Sequence, residues 1–136
     1  MIFWMAGYKH IERCIGDYIA RHYAEPVEIG VGGNMESACI IRNAGRRMRC
    51  TDIKNILPPE GVEFYQDDIF NPVLSRYEGA DVLYAIRPAE ETIPPMIALA
   101  ERLSCDLIVY HLGFESFGDG GEIIDCGVLL HRYHRA

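Results

Sequence analysis

The chain has 136 residues, so the sequence predicts a single domain over residues 1–136. Hydrophobic residues make up 49% and charged residues 24%, a balance that lets a core form without a stabilising metal. The formal net charge of −7 argues against general nucleic-acid binding and against an anionic membrane surface, because phosphates would be repelled. One basic run at 46–49 (RRMR) stands against this balance, and we expect it to form a solvated loop face.

The cysteines predict a reducing compartment. Their number is odd and no two form a C-x-x-C pair, which indicates free thiols rather than a disulfide framework or a zinc cluster. No segment approaches the roughly 18 apolar residues that cross a bilayer. The apolar start at 1–6 is also too short for a signal sequence. The sequence therefore predicts a cytoplasmic protein with no membrane segment and no metal.

The chain begins with a helical pattern. Apolar side chains recur at three- and four-residue spacing from Tyr8 to Tyr23, with charged residues between them. This spacing predicts an amphipathic helix, so residues 1–24 form an N-terminal helical segment that packs on a sheet. The helix ends before Pro26, because a residue that precedes proline is biased away from helix.

Strands and helices then alternate along the chain. Strands are predicted at 26–29, 49–51, 62–65, 80–86 and 106–112, and helices at 34–43 and 93–103. Two apolar stretches at 123–124 and 128–130 form either a hairpin or one bulged strand. Several strands are apolar enough to be buried on both faces. The pattern predicts a three-layer Rossmann-like α/β sandwich with a mostly parallel sheet, reduced at the C-terminal end.

Polar or glycine residues follow the first strands. In an open parallel sheet, ligands bind beyond the carboxyl ends of the strands, where the strand order reverses. A glycine turn at 30–33 (GVGG) comes after the first strand, and Asp52 follows Gly30 at close to the roughly 20-residue offset at which an acid reaches a ribose. Gly30 permits a tight turn, and Gly32 lets the backbone approach a ligand. These features predict a nucleotide site; the alternative is a structural turn beside a solvated Asp52.

The residues around the turn narrow the ligand. A dinucleotide fingerprint would need glycine where Met35 stands, and no G-K-[ST] sequence of a P-loop occurs. Glu28 lies just before the turn, where its charge would repel a pyrophosphate. An acid at this place suits a ligand with positive charge, such as an ammonium or a sulfonium.

Three short motifs carry a resemblance to a known family. Residues 27–32 (VEIGVG), 50–53 (CTDI) and 66–69 (QDDI) resemble the first three motifs of the class I S-adenosylmethionine-dependent methyltransferases. The resemblance covers residues 26–112 and implies a methyltransferase-like fold with S-adenosylmethionine, a small-molecule adenine cofactor. By this resemblance Glu28 would hold the methionine end of the cofactor, and Gly30, Gly32 and Gly33 would form the turn. Asp52 would bind the ribose, and Ile53 would lie against the adenine. Asp68 (rather than Asp67) would accept from the adenine amino group.

A narrower resemblance concerns the end of the fourth strand. The short length of the chain and residues 83–88 (LYAIRP) are similar to a small uncharacterised archaeal protein family. Members of that family are methyltransferase-like in fold and have no established activity. By this resemblance the chain has that fold, and its activity and acceptor are open.

The sequence also departs from the methyltransferase pattern. Asn34 replaces the usual third glycine, and residues 86–89 (IRPA) replace an Asn or Asp followed by two prolines and an aromatic residue. The chain also lacks the added substrate-recognition segment of a typical class I enzyme. The motifs for binding are therefore present, and no catalytic residue is identified.

Other candidates have two interpretations each. Arg87 either clamps a carboxylate or phosphate or forms an ion pair with Glu90, Glu91 or a strand-end aspartate. Tyr84 is either a core or pocket-wall aromatic, which we favour, or a catalyst. His111 is a general base or a histidine satisfied by a carbonyl. His131 and His134 are three residues apart in a strand, so they face opposite sides and make a poor metal pair.

Three functional hypotheses follow. The first is an S-adenosylmethionine-binding, methyltransferase-like protein. The second is a non-catalytic partner or homodimer that works through its surface, for which the apolar start at 3–5 (FWM) would be an interface. The third is a binder or oxidoreductase of another adenine nucleotide, such as NAD.

Overall fold

The computed structural model describes residues 3–136, with side chains from Lys9 onward. Its centre is one sheet in the order β3-β2-β1-β4-β5-β7-β6. Strands β1 to β5 are parallel, whereas β7 runs antiparallel to both β5 and β6. The strands are β1 Pro26–Ile29, β2 Met48–Asp52, β3 Val62–Gln66, β4 Val82–Ile86, β5 Asp106–Tyr110, β6 Glu122–Asp125 and β7 Leu129–His134.

Helices cover both faces of the sheet. Helices α1 (Phe3–His22) and α2 (Glu36–Asn43) pack on one face, and α3 (Ile93–Leu103) packs on the other. Within β4, Tyr84 belongs to the first apolar cluster and Leu83 to the second, as the alternation of strand side chains requires. Two 3-10 turns, Leu74–Tyr77 and Glu90–Thr92, complete the connections. The predicted three-layer, mostly parallel α/β fold is confirmed.

Local signals set the helix ends. Two prolines lie in the first turn of α3, where a missing N–H costs no helical hydrogen bond, and α3 has the predicted bounds. The carboxamide oxygen of Asn34 accepts from the backbone N–H of Glu36 (3.0 Å) at the start of α2. Asn34 itself has no positive φ and precedes the N-cap residue Met35, so its side chain forms a local turn before α2 instead of replacing a glycine conformation.

The C-terminal third resolves one open alternative. The two apolar stretches form the β6–β7 hairpin rather than one bulged strand. Residues 111–121, between β5 and β6, contain no helix in the described chain, whereas α3 connects β4 to β5. The predicted reduction at the C-terminal end therefore concerns the helices and not the sheet, because β6 and β7 still extend the sheet there.

The basic run at 46–49 differs from the expected solvated face. Arg49 lies in β2 with only 1% of its surface exposed. Its guanidinium donates to the carbonyls of Arg76 (3.1 Å) and Glu78 (2.9 Å), which ties the 3-10 turn to the sheet. The expectation is therefore wrong for Arg49, because the turn carbonyls supply partners that local sequence does not reveal.

Two findings concern the surface. None of the helices in the described part of the chain is long and apolar enough to span a membrane. The interface suggested for the apolar start at 3–5 lies outside the described side chains, so the structure neither supports nor opposes it.

Candidate functional site

The strand order reverses between β1 and β4, which is where an open parallel sheet binds its ligands. A pocket of about 280 Å³ lies there, beyond the carboxyl ends of β1 to β4. Five of the predicted site residues line it: Gly30, Asp52, Ile53, Asp68 and Arg87. The pocket therefore brings together residues that are far apart in the chain.

The glycine turn is fixed to β2. The amides of Gly30 and Val31 donate to the carbonyl of Thr51 (2.9 and 3.1 Å), and the amide of Gly32 donates to Oδ2 of Asp52 (2.9 Å). Gly30 and Gly32 have φ of 68° and 61°, a conformation that strains any residue with a Cβ. A Cβ built on either glycine would meet no heavy atom within 4 Å. The turn therefore leaves open space beside its backbone, which fits a closely approaching ligand.

The Asp52 carboxylate is held in position at the pocket wall. Its Oδ1 accepts from the amide of Lys54 (2.9 Å), while Oδ2 accepts from Gly32. A carboxylate offers about four acceptor sites, so each oxygen keeps capacity for a ligand hydroxyl. The next side chain, Ile53, is 64% exposed although it is large and apolar. A fixed acid beside an exposed apolar surface suits a ribose with its attached base.

The two neighbouring aspartates after β3 have different partners. Asp67 is buried, and it accepts from the hydroxyl of Tyr77 (2.6 Å) and the amide of Val73 (3.1 Å). Burial and the Asp67 carboxylate raise the pKa of Tyr77. Asp68 is partly exposed, and among the described residues its carboxylate accepts only from the amide of Phe70 (3.0 Å). Asp67 thus holds the following loop, whereas Asp68 keeps an oxygen for a ligand.

Glu28 and Tyr84 lie behind the turn rather than in the pocket wall. The hydroxyls of Tyr84 (2.9 Å) and Ser37 (3.2 Å) both donate to Oε1 of Glu28, and all three residues are buried. Burial, reinforced by the nearby Glu12 carboxyl, raises the pKa of Glu28 to about 8. Burial also raises the pKa of Tyr84. The role of Glu28 at a methionine end and a cofactor-binding role of Tyr84 stay predictions.

Glu12 on α1 is a site neighbour that the sequence pattern did not single out. It is buried, and its Oε1 accepts from the amide of Ser37 (3.2 Å) at the start of α2. Its Oε2 lies 4.0 Å from the guanidinium of Arg87. Burial raises the pKa of Glu12. The sequence feature that could have identified Glu12 is its spacing, because position 12 shares the buried face of α1 with Ile15 and Ile19.

Arg87 combines a strained backbone with a place at the pocket. Its φ is 52°, and its amide donates to the carbonyl of Tyr110 (2.7 Å) just before Pro88. Strained residues of this kind concentrate at functional sites. Its ion-pair partner Glu12 is an acid that the sequence did not indicate. The clamp that the sequence predicted for Arg87 stays a prediction.

The three histidines of the last strands have distinct partners. His131 and His134 each donate from Nδ1 to a backbone carbonyl, of Gly120 and Cys105 respectively (both 2.7 Å). His111 pairs with the hydroxyl of Tyr133 (2.5 Å) and not with a carbonyl. Within residues 3–136, no group of three or more His, Cys, Asp or Glu side chains is placed to hold a metal.

Comparison with protein families gives a match over most of the chain. The model of an uncharacterised protein family, UPF0146, matches residues 14–119. A UPF0146 protein of Pyrococcus horikoshii is 34% identical over 88% of this chain and 96% of its own length. One from Archaeoglobus fulgidus is 33% identical over 70% of this chain and 74% of its own length. These relatives are archaeal and carry no stated activity.

Solved structures of similar fold include methyltransferases. A ribosomal RNA methyltransferase from Plasmodium falciparum, described as putative, gives a TM-score of 0.56 at 17% identity, covering 79% of this chain and 78% of its own. The methyltransferase domain of bacterial CtHen1 gives 0.53 at 16% identity over 74% and 65%. The plantazolicin methyltransferase BpumL, solved with SAH, gives 0.52 at 17% identity over 78% and 47%, so the chain spans about half its length. At such identities the likeness shows the fold alone.

Proposed function

The chain belongs to the uncharacterised protein family UPF0146, and we propose that it binds S-adenosylmethionine in the pocket beyond β1 to β4. In this proposal Asp52 binds the ribose hydroxyls and Asp68 accepts from the adenine amino group. The backbone of the turn at Gly30 and Gly32 lies against the ligand. The observation that carries the proposal is the pocket itself, since Gly30, Asp52 and Asp68 all line it.

The pocket residues fit the chemistry of an adenosyl group. Ile53 and Phe70 are 64% and 61% exposed at this pocket, which supplies apolar surface for a flat base. Met96 and Thr92 extend the wall from the α3 side. Asp52, Asp67 and Asp68 all line the wall, against Arg87 as the one cationic side chain among its described residues, and Asp52 and Asp68 supply acceptors for hydroxyl and amino groups. This set favours an adenosyl sulfonium over an adenine dinucleotide.

The segment after β4 bears on methyl transfer. This segment carries Arg87-Pro88 where amino-methylating enzymes carry an acid or amide before two prolines. The proposed function is therefore a methyltransferase-like adenosylmethionine protein, with transfer to an acceptor as its expected activity. The catalytic residues are not assigned.

The test is calorimetric titration with S-adenosylmethionine and with its demethylated product. Asp68→Ala should weaken binding about 10- to 100-fold, since a hydrogen bond to a charged group contributes about 1.5–3 kcal/mol. Asp125→Ala is a matched control, because Asp125 also accepts one backbone amide two residues on, that of Gly127 (3.0 Å). Asp52→Asn should weaken binding comparably.

Three results would overturn the proposal in different ways. Absence of binding by either adenosyl ligand contradicts it outright. Binding of NAD in preference to both ligands would indicate an adenine dinucleotide protein. Equal loss in Asp68→Ala and Asp125→Ala would show that the pocket is not the binding site. No adenosyl binding together with a concentration-dependent dimer would favour the non-catalytic partner.

A further inference from the structure

A second pocket of about 370 Å³ lies beside the first, beyond the end of β5. The two pockets share Pro88 and Ala89, so this segment separates them. The wall of the second pocket is completed by Glu90, His111 and Glu115, with Ser116 beside them. A ligand here would lie next to the proposed adenosyl ligand without contacting Asp52 or Asp68.

His111 faces this second pocket as a buried group with one ring nitrogen available. It is 7% exposed, and its Nε2 pairs with the hydroxyl of Tyr133 (2.5 Å). The Tyr133 oxygen also accepts from the amide of Phe117 (2.8 Å). This second hydrogen bond holds the Tyr133 hydroxyl in place beside the His111 ring. No described side chain hydrogen-bonds to Nδ1. Burial and the neighbouring His131 lower the pKa of His111, so the imidazole is neutral at pH 7.

The charge of the second pocket's wall determines whether the pocket favours an anionic or a cationic ligand. Glu90 and Glu115 are exposed carboxylates that act electrostatically on His111, and the wall contains no Lys or Arg among its described residues. A neutral imidazole adds no positive charge to oppose a cation. The pocket therefore repels anions and attracts organic cations, and the buried ring supplies one directional hydrogen bond.

We propose that the second pocket binds the methyl acceptor through an alkylammonium group, with Glu90 and Glu115 facing the cation and Nδ1 of His111 as its proton acceptor, an arrangement in which Nε2 donates to the Tyr133 oxygen. Methyl transfer would require the ammonium to lose a proton to Nδ1, after which the amine nitrogen would form a bond to the methyl carbon as the bond from that carbon to sulfur breaks and the demethylated thioether leaves. The source of this group is either a free amine or a lysine side chain. This inference rests on the proposed function, because only the adjacent adenosyl ligand makes the bound amine an acceptor.

The test follows the His111 ring resonances by NMR during titration. The probes are butylammonium for a free amine and Nα-acetyl-lysine-N-methylamide for a lysine side chain, with butyrate and butanol as controls. We expect saturable shifts with at least one amine and neither control. The double variant Glu90→Gln/Glu115→Gln should weaken amine binding about fivefold or more. Glu91→Gln, an exposed neighbour outside the pocket wall, should change it less than twofold.

The outcomes separate the two sources and the two proposals. Tighter binding of butylammonium indicates a small-molecule acceptor, and tighter binding of the lysine derivative indicates a protein side chain. Unsaturable shifts, equal effects of Glu91→Gln, or equal binding of butyrate overturn the inference. Titration of the same samples with the demethylated adenosyl product tests the proposed function independently: if that product binds and the amines do not, only the second pocket loses its assignment. If amines bind and no adenosyl ligand does, the proposed function fails.

Discussion

Two carboxyl groups close to the glycine turn have the same chemistry and opposite surroundings. Glu28, before the turn, is buried among hydroxyl donors on the α1 and α2 face of the sheet. Asp52, beyond the turn in sequence, is partly exposed and held by backbone amides at the pocket wall. The position of an acid in a motif therefore does not decide whether it is available to a ligand. Its side of the sheet does.

The alternation of strand side chains explains this difference. Val27 and Ile29 face the α3 side of the sheet, so Glu28 between them faces α2 and the hydroxyl of Ser37. Asp52 is the last residue of β2, where the strand opens onto the pocket. We therefore expect substitutions on the Glu28 side to act on stability and those on the Asp52 side to act on binding.

The largest expected effect is on stability. Glu28→Ala leaves the buried hydroxyls of Ser37 and Tyr84 without their shared acceptor and opens a cavity. We expect the free energy of unfolding to fall by about 3 kcal/mol, as measured by urea denaturation. Asp68→Ala, at the pocket, should lower the free energy of unfolding by less than about 1 kcal/mol because Asp68 is partly exposed. Similar losses in both variants would contradict the contrast between the two sides.

The second effect is a pH dependence of stability. The folded-state pKa of Glu28 is about 8, against 4.5 for an ordinary carboxyl, so the folded protein keeps a proton that the unfolded chain releases between these values. The stabilisation is complete below about pH 4.5 and is lost as pH rises to 8. Glu28→Gln should flatten this part of the curve by at least about 1 kcal/mol.

The comparison of wild type with Glu28→Gln at each pH isolates this group from two others. The raised pKa of Glu12 acts in the same direction as that of Glu28. The lowered pKa of His111 acts in the opposite direction, because its contribution is lost as pH falls below 6.5. Parallel curves for the two proteins between pH 5 and pH 8 would show that Glu28 is ionised in the fold.

A third prediction concerns the exposed apolar side chain at the pocket. Ile53→Ser should weaken binding of the demethylated adenosyl product about five- to tenfold, because the base loses part of its apolar contact. Stability should stay within about 0.5 kcal/mol, since the side chain is 64% exposed. Ile123→Ser on β6, 52% exposed, is the matched control and should leave affinity unchanged. Equal affinities for both variants would remove Ile53 from the site.

The smallest expected effect is at the third position of the glycine motif. Asn34→Gly restores the residue that class I methyltransferases carry there but removes the side-chain acceptor of the Glu36 amide. We expect stability to fall by a few tenths of a kcal/mol and the affinity for adenosyl ligands to stay within twofold. An affinity gain of tenfold or more would show that Asn34 limits the approach of the ligand.

Local sequence predicts the fold and the pocket-side acids well. The bounds of β1 and α3 agree with the prediction, because Pro26 and the prolines of α3 act within one turn of the chain. The pocket position of Asp52 and Asp68 follows from strand ends, which periodicity locates.

Contacts between distant residues could not be predicted in the same way. Glu12 forms an ion pair with Arg87, although the two residues are far apart in the sequence. The hydroxyl of Tyr133 forms a hydrogen bond with His111 because β7 pairs with β5. Buried Arg49 similarly depends on carbonyls from the turn after β3. These partners are fixed by tertiary packing, for which a single sequence carries no local signal.

Amide chemical-shift mapping during titration with the demethylated product of S-adenosylmethionine tests the central claim most directly. We expect saturable changes at the amides of Gly30, Ile53 and Ile69, which lie on the wall of the first pocket. Amides of the β6–β7 hairpin, at the other end of the sheet, should not change. Absence of saturable changes, or changes confined to that hairpin, would contradict the central claim.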